Sequence, residues 1–166
     1  MLAELGRQTF CDSFAHLYKA EDLNAFLQEV FSAEAVRREM SNPRRQYLIA
    51  EQDGAFAGYC KIGYCDAANG PSLDYDTGTK RVVELKQLYI RAAYHGQGVA
   101  QRMMAWALEA AREYRAEAIL LSVYSENPRA QAFYKKFGFA HVADTVFMVG
   151  RHADHEFIYL KSLIDK

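Results

Sequence analysis

Glu84-Leu85-Lys86-Gln87-Leu88-Tyr89-Ile90-Arg91-Ala92-Ala93-Tyr94-His95-Gly96-Gln97-Gly98-Val99-Ala100 reads as a strand that passes through a glycine-rich turn into the first turn of an amphipathic helix. A helix start leaves backbone N–H groups without intrahelical partners and carries the positive end of the helix dipole. Gly96 and Gly98 let an anion approach those donors closely, so the stretch is built to hold phosphate oxygens.

Working outward, the helix is expected from Gly98 to Arg115. Val99, Ala100, Met103, Met104, Ala107, Leu108 and Ala111 form its apolar stripe, opposite Arg102, Glu109, Arg112 and Glu113. A buried strand from Ile119 to Tyr124 follows. Strand, helix, strand implies a right-handed crossover between parallel strands, which sets the glycine turn at the carboxyl edge of a sheet. Asn127 caps a further helix with Pro128 in its first position, Ala130, Phe133, Tyr134 and Phe137 on its inner face and Gly138 at its end. Strands Phe139 to Val142, Val146 to Gly150 and Glu156 to Leu160 complete the sheet.

Toward the N-terminus, apolar residues recur at helical steps from Leu2 to Tyr18 and from Glu21 to Met40, giving two or three helices. Ser32 reads as a fresh N-cap, and Asn42-Pro43 ends the segment. Gln46 to Glu51 and Ala55 to Tyr64 form a β-hairpin about Asp53-Gly54. Asp66 to Lys80 is a long surface loop.

The chain has 166 residues, 51% of them hydrophobic, and a formal net charge of -1. That length suits one domain over residues 1–166, and the charge argues against a nucleic-acid partner. No apolar run reaches the length of a membrane span and no secretory signal pattern opens the chain, so a cytoplasmic protein without a membrane partner is expected. Cys11, Cys60 and Cys65 read as reduced structural thiols.

These features resemble the GNAT superfamily of N-acetyltransferases. The family's cofactor loop, Gln/Arg-x-x-Gly-x-Gly/Ala after a strand, is matched at Gly98 and Ala100, with His95 in place of the usual Gln or Arg. Its second block, a strand, then Asn, a short helix carrying Tyr, and Gly-Phe, is matched from Leu121 through Asn127, Tyr134, Gly138 and Phe139. The family usually opens with a strand, whereas Met1 to Leu5 already has helical pattern, which leaves that strand outside this stretch. Phe147-Met148-Val149-Gly150 followed by Asp154 is most similar to the bacterial spermidine/spermine-type members.

The resemblance implies an α/β (α+β) fold. Its central sheet is mixed and mostly antiparallel, with two splayed parallel strands and flanking helices: the acyl-CoA N-acyltransferase fold. It also implies acetyl-CoA as cosubstrate, with its pantetheine along Leu88, Tyr89 and Ile90 and its pyrophosphate on the amides of Gly96, Gln97, Gly98, Val99 and Ala100. His95 would give a weaker, more pH-dependent coenzyme contact, and Asn127 and Tyr134 would complete the cofactor site. Metal ligands are not expected, and His152 and His155 read as surface histidines.

Acetyl transfer needs a deprotonated amine, a stabilised oxyanion and a protonated leaving thiolate. Tyr134 stands where the family places its general acid; the other reading is a core phenol beside Phe133 and Phe137. Glu84 matches a position from which some members take a general base, or it is a salt-bridged strand residue paired with Lys86 or Arg81.

Asp66, Asp74 and Asp76 either collect a cationic amine or are simply solvated, and Phe10, Phe14 and Tyr64 are candidate walls of the acceptor cleft. The expected activity is acetyl transfer to a small primary amine, such as a polyamine, through a ternary complex. A CoA-binding sensor or partner-binding module and a protein or peptide N-acetyltransferase are the alternatives. Exposed edge strands are compatible with a homodimer.

Overall fold

A computed structural model describes residues 1–78 and 80–164. Three helices come first: α1 (Leu2–Phe14), α2 (Ala20–Phe31) and α3 (Ala33–Met40). The Ser32 hydroxyl accepts from the Ala35 amide at 3.1 Å, which satisfies one orphan donor of α3 and starts a new helix one residue after α2 ends. Strands β1 (Arg45–Gln52) and β2 (Ala55–Cys65) make the hairpin expected from Asp53-Gly54. Then come β3 (Val82–Ile90), α4 (Val99–Glu113), β4 (Ala118–Tyr124), α5 (Pro128–Lys136), β5 (Ala140–Val149) and β6 (His152–Ser162).

The six strands form one sheet in the order β1-β2-β3-β4-β6-β5. Only β3 and β4 run parallel, joined by the α4 crossover; every other neighbouring pair is antiparallel. The α4 stripe packs on one face against Cys60, Ile62, Val83, Leu85, Ile119 and Leu121. Helices α1 to α3 cover the other face, where Phe10, Phe26, Leu27 and Phe31 close on Val149. No helix among the described residues is long and apolar enough to cross a membrane.

The C-terminal third differs from the sequence expectation. Phe139 to Val142 and Val146 to Gly150 are not two strands: β5 is continuous, with a register shift between His141 and Ala143 where it pairs with β6. A bulge of this kind keeps a ladder running past residues that break strict alternation, and that break is what made the segment look like two strands.

The β5–β6 turn docks on α2. Gly150 has φ +58°, and a Cβ there would lie 2.6 Å from the Asp22 Cα, while the Asp22 carboxylate accepts from the Arg151 amide at 2.9 Å. Gly150→Ala is expected to cost about 3 kcal/mol, the sum of left-handed strain and a backbone clash. Thermal unfolding should show this as a fall of roughly 6–12 °C.

Candidate active site

Strands β3 and β4 are paired only at Val82↔Ala118, Val83↔Ile119 and Glu84↔Leu120. Beyond Glu84 and Leu120 they diverge, so the facing edges of Leu85 to Ile90 and of Leu121 to Tyr124 have no strand partner on that side. A gap in a sheet exposes backbone donors and acceptors that a ligand in extended form can satisfy. Leu88, Tyr89 and Ile90, expected to carry a pantetheine arm, line this gap on β3.

At the mouth of the gap the chain turns through Gly96 and Gly98, with φ of +79° and +78°. Gly98 is the N-cap of α4 and provides no side-chain cap. The first-turn amides of α4, including Val99 and Ala100, are therefore free of a capping oxygen and fit an anion. Gln97 is tied back, its Nε2 donating to the Ala93 carbonyl at 2.8 Å.

His95 is hydrogen-bonded within the protein. Its Nε2 lies 3.0 Å from the Ile90 carbonyl and its Nδ1 3.3 Å from Arg129 Nη1. A carbonyl only accepts and a guanidinium only donates, so the proton sits on Nε2 and is spent on the protein. The cations beside the turn are Arg129 and Arg102, the latter with Nη1 3.4 Å from the Gln97 carbonyl. Neither stood out in the sequence, where Arg102 read as part of the polar face of its helix.

Helix α5 is set as its sequence predicts. Asn127 Oδ1 accepts from the Ala130 amide at 3.1 Å, Pro128 occupies the first position, and Gly138 follows the last turn. Asn127 is thus first a helix cap, with only its amide nitrogen left for a ligand. Tyr134 is half-buried, its ring 5.4 Å from Phe133 and 5.9 Å from Phe139. Burial pushes its phenol up, and the Cys60 thiol and the Glu156 carboxylate add to the shift. Packing and proximity to ionisable groups therefore coexist: the ring is core, while the hydroxyl senses β2 and β6.

Opposite Tyr134, on the α1–α3 side, lies a cluster of which the sequence singled out only Phe14 as a cleft wall. Phe14 meets Tyr124 edge-on at 6.5 Å. The Tyr18 hydroxyl donates to Asp154, which is 5% exposed, and His152 Nε2 lies 3.2 Å from the same carboxylate. Two residues further along β6, Glu156 pairs in register with Tyr124, and its Oε2 is buried with no hydrogen-bond partner among the described residues. Burial pushes the Glu156 carboxyl up; the Ser122 hydroxyl pulls it partly back and Asp154 adds to the rise. Burial and the Glu156 charge likewise raise Tyr89. The available signal was two acids spaced i, i+2 on an apolar central strand.

Glu84 is realised as the ion-paired strand residue. Both its oxygens are engaged: Oε2 accepts from the Ser72 amide at 2.9 Å, and Oε1 takes the Ser72 hydroxyl and Lys86 Nζ, the latter at 3.1 Å. It sits where β3 and β4 are still paired and anchors the 66–80 loop. Glu84→Gln is expected to lower stability by about 2 kcal/mol, the worth of a charged hydrogen bond lost in a buried setting. Urea unfolding checks this.

The remaining candidates separate. Asp66 is held down to about 2 by Asn69 and Arg44, and Asp76 caps the Gly78 amide at 2.7 Å. With Asp74 they belong to the loop that enters β3, at the end of the sheet away from the gap, so this loop does not collect an amine there. Tyr64 packs on Tyr114, the residue that follows α4, at 4.6 Å and Phe10 is 2% exposed, so neither lines the cleft, whereas Phe14 meets Tyr124 there. His155 bonds Asp144 at 3.1 Å while His152 turns to Asp154, because neighbouring strand residues point to opposite faces. Cys60 and Cys65 likewise belong to clusters on opposite faces.

A separate pocket of about 230 Å³ lies under α1 and α3, lined by Tyr47, Tyr59, Lys61, Glu39 and Gln87. Lys61 Nζ and Glu39 are 2.6 Å apart there, so its charges neutralise one another.

An uncharacterised N-acetyltransferase of Mycobacterium tuberculosis is 29% identical over 163 residues, 98% of this chain and 96% of the relative. One of Lactobacillus delbrueckii subsp. lactis is 26% identical over 160 residues, 96% of this chain and 89% of the relative. Among solved structures, the PaiA N-acetyltransferase of Thermoplasma acidophilum in complex with coenzyme A superposes with a TM-score of 0.71 at 22% identity, over 97% of this chain and 90% of that one. Residues 10–139 match the Acetyltransferase (GNAT) family. The diverging strands, the glycine turn and the Asn127-capped helix all fall within that span, and the chain belongs to this family of acetyltransferase enzymes.

Proposed function

We propose that the protein transfers an acetyl group from acetyl-CoA directly to a small cationic primary amine, such as a polyamine, in a ternary complex. The observation that carries this reading is the parting of β3 and β4 after Glu84 and Leu120, directly beside the uncapped start of α4. The bound coenzyme supplies an acetyl thioester, a carbon already activated toward nitrogen.

The protein's part is binding, orientation and proton transfer. Amides from Gly96 to Ala100, with Arg102 and Arg129, hold the phosphates. The free edges of Leu88 to Ile90 align the thioester along the gap, and Asn127 Nδ2 contacts the same arm. Tyr134 holds a proton at its phenolic oxygen for the departing thiolate. Desolvation that raises the phenol also destabilises the thiolate, so the pair remains matched for transfer. The acidic and aromatic wall formed by Asp154, Glu156, Tyr18 and Tyr124 suits a cationic amine.

Thiol release from acetyl-CoA, measured across polyamines, aminoglycosides, amino acids and peptides, tests the reading. Release with polyamines or other small cationic amines is the expected result. Release with peptides alone would make the protein a peptide acetyltransferase. Tight coenzyme binding without release from any acceptor would favour a sensor.

A further inference from the structure

Resting on the acetyl-transfer reading, we infer that Glu156 anchors the ammonium of the acceptor and removes the proton that frees its nitrogen for attack. The neighbouring carboxylates are committed elsewhere. Glu84 is bound by Ser72 and Lys86, Glu39 by Lys61, and Asp154 by Tyr18 and His152. Glu156 alone among these acids keeps a buried oxygen without a partner among the described residues. A buried, unpaired acceptor is costly unless a ligand completes it, and an ammonium is the donor that does so best.

Position supports the same role. Glu156 shares the α1–α3 face of the sheet with Ser122 and Tyr124 of β4 and with Asp154 of its own strand. Its charge reaches Tyr89 on the opposite wall of the gap and Tyr134 on α5. Tyr18, His152 and Asp154 close the outer side. The carboxylate therefore stands between the aromatic acceptor wall and the proposed acid.

The proton count closes. The acceptor ammonium gives one proton to Glu156. Its lone pair forms the C–N bond to the acyl carbon while the C–S bond breaks. The thiolate takes the Tyr134 proton, the surplus proton on nitrogen returns to the phenolate, and Glu156 releases its proton to solvent. One proton is liberated per turnover.

The test compares wild type, Glu156→Gln and Glu156→Asp, with spermidine and an alanine-initiated peptide as probe acceptors and calorimetry for coenzyme affinity. Glu156→Gln is expected to lower kcat about 100-fold or more, with coenzyme Kd within twofold of wild type, which also reports an intact fold. Glu156→Asp should recover part of the loss. In wild type, activity should fall as pH drops through a value above the ordinary glutamate range of about 4.3, because burial raises the carboxyl; the glutamine variant should lack this limb. Retained kcat within about threefold, with superimposable profiles, would overturn the assignment and leave the transfer reading intact. Coenzyme binding by wild type with no thiol release from either acceptor would overturn both.

Discussion

Tyr134→Phe is expected to lower the turnover number by about 100-fold or more while coenzyme affinity stays within about twofold of wild type. The substitution removes one oxygen and leaves the ring in its contacts with Phe133 and Phe139, so packing is preserved. In the proposed mechanism the phenol supplies the proton that the leaving thiolate needs, and burial keeps that proton in place near neutral pH. In the proposed binding mode the coenzyme phosphates lie elsewhere, at the α4 amides, so Kd separates from kcat. Steady-state assay with calorimetry checks both; an unchanged turnover number would return Tyr134 to a purely structural role.

Gly98→Val should weaken coenzyme binding at least about tenfold, equivalent to roughly 1.4 kcal/mol, and lower the melting temperature by roughly 4–8 °C. Gly98 has φ +78°, a region that a β-branched residue enters only with strain of about 2 kcal/mol. A Cβ there would also meet Arg102 Nη1 at 3.2 Å, displacing a cation from the anion cradle. Relief of the strain rotates the turn and misaligns the first amides of α4, so stability and affinity fall together. Gly98→Ala should show the same signs at smaller size. Calorimetric titration with CoA and a thermal melt measure the two effects.

The donor half of the site was legible because it is local. A strand, a glycine turn and a helix start lie in consecutive residues, and their geometry follows from short-range rules of dihedral freedom and capping. The same holds for α5, where Asn127, Pro128 and Gly138 act as expected. β3, Val82–Ile90, likewise contains the strand read from Glu84 onward, since a run rich in β-branched and apolar residues ends at a clear turn.

The acceptor half was not legible, because its parts are distant in sequence. Tyr18 and Asp154 are separated by 136 positions, yet share a hydrogen bond. The sequence reading began the last strand at Glu156 and left Asp154 before it, whereas β6 starts at His152, and neither acid could be read as facing the cleft. Their side depends on β6 inserting between β4 and β5 and on the register Tyr124↔Glu156. A one-residue shift would turn both carboxylates to the opposite face. Conversely, Asp66, Asp74 and Asp76 looked suitable from composition, but the topology carries their loop to the other end of the sheet.

The sequence by itself determined the order of the elements through α5, the parallel crossover and the glycine turn into an uncapped helix start, all encoded by hydrophobic period, glycine placement and helix caps acting within a few residues. Tertiary structure alone decided that Glu84 is sealed by Ser72 and Lys86, that His95 spends its proton on Ile90, and that Glu156 is left with a buried oxygen that has no partner among the described residues. The physical reason is that a side chain's charge and hydrogen-bonding capacity become function only when strand register and burial settle which of its possible partners it meets.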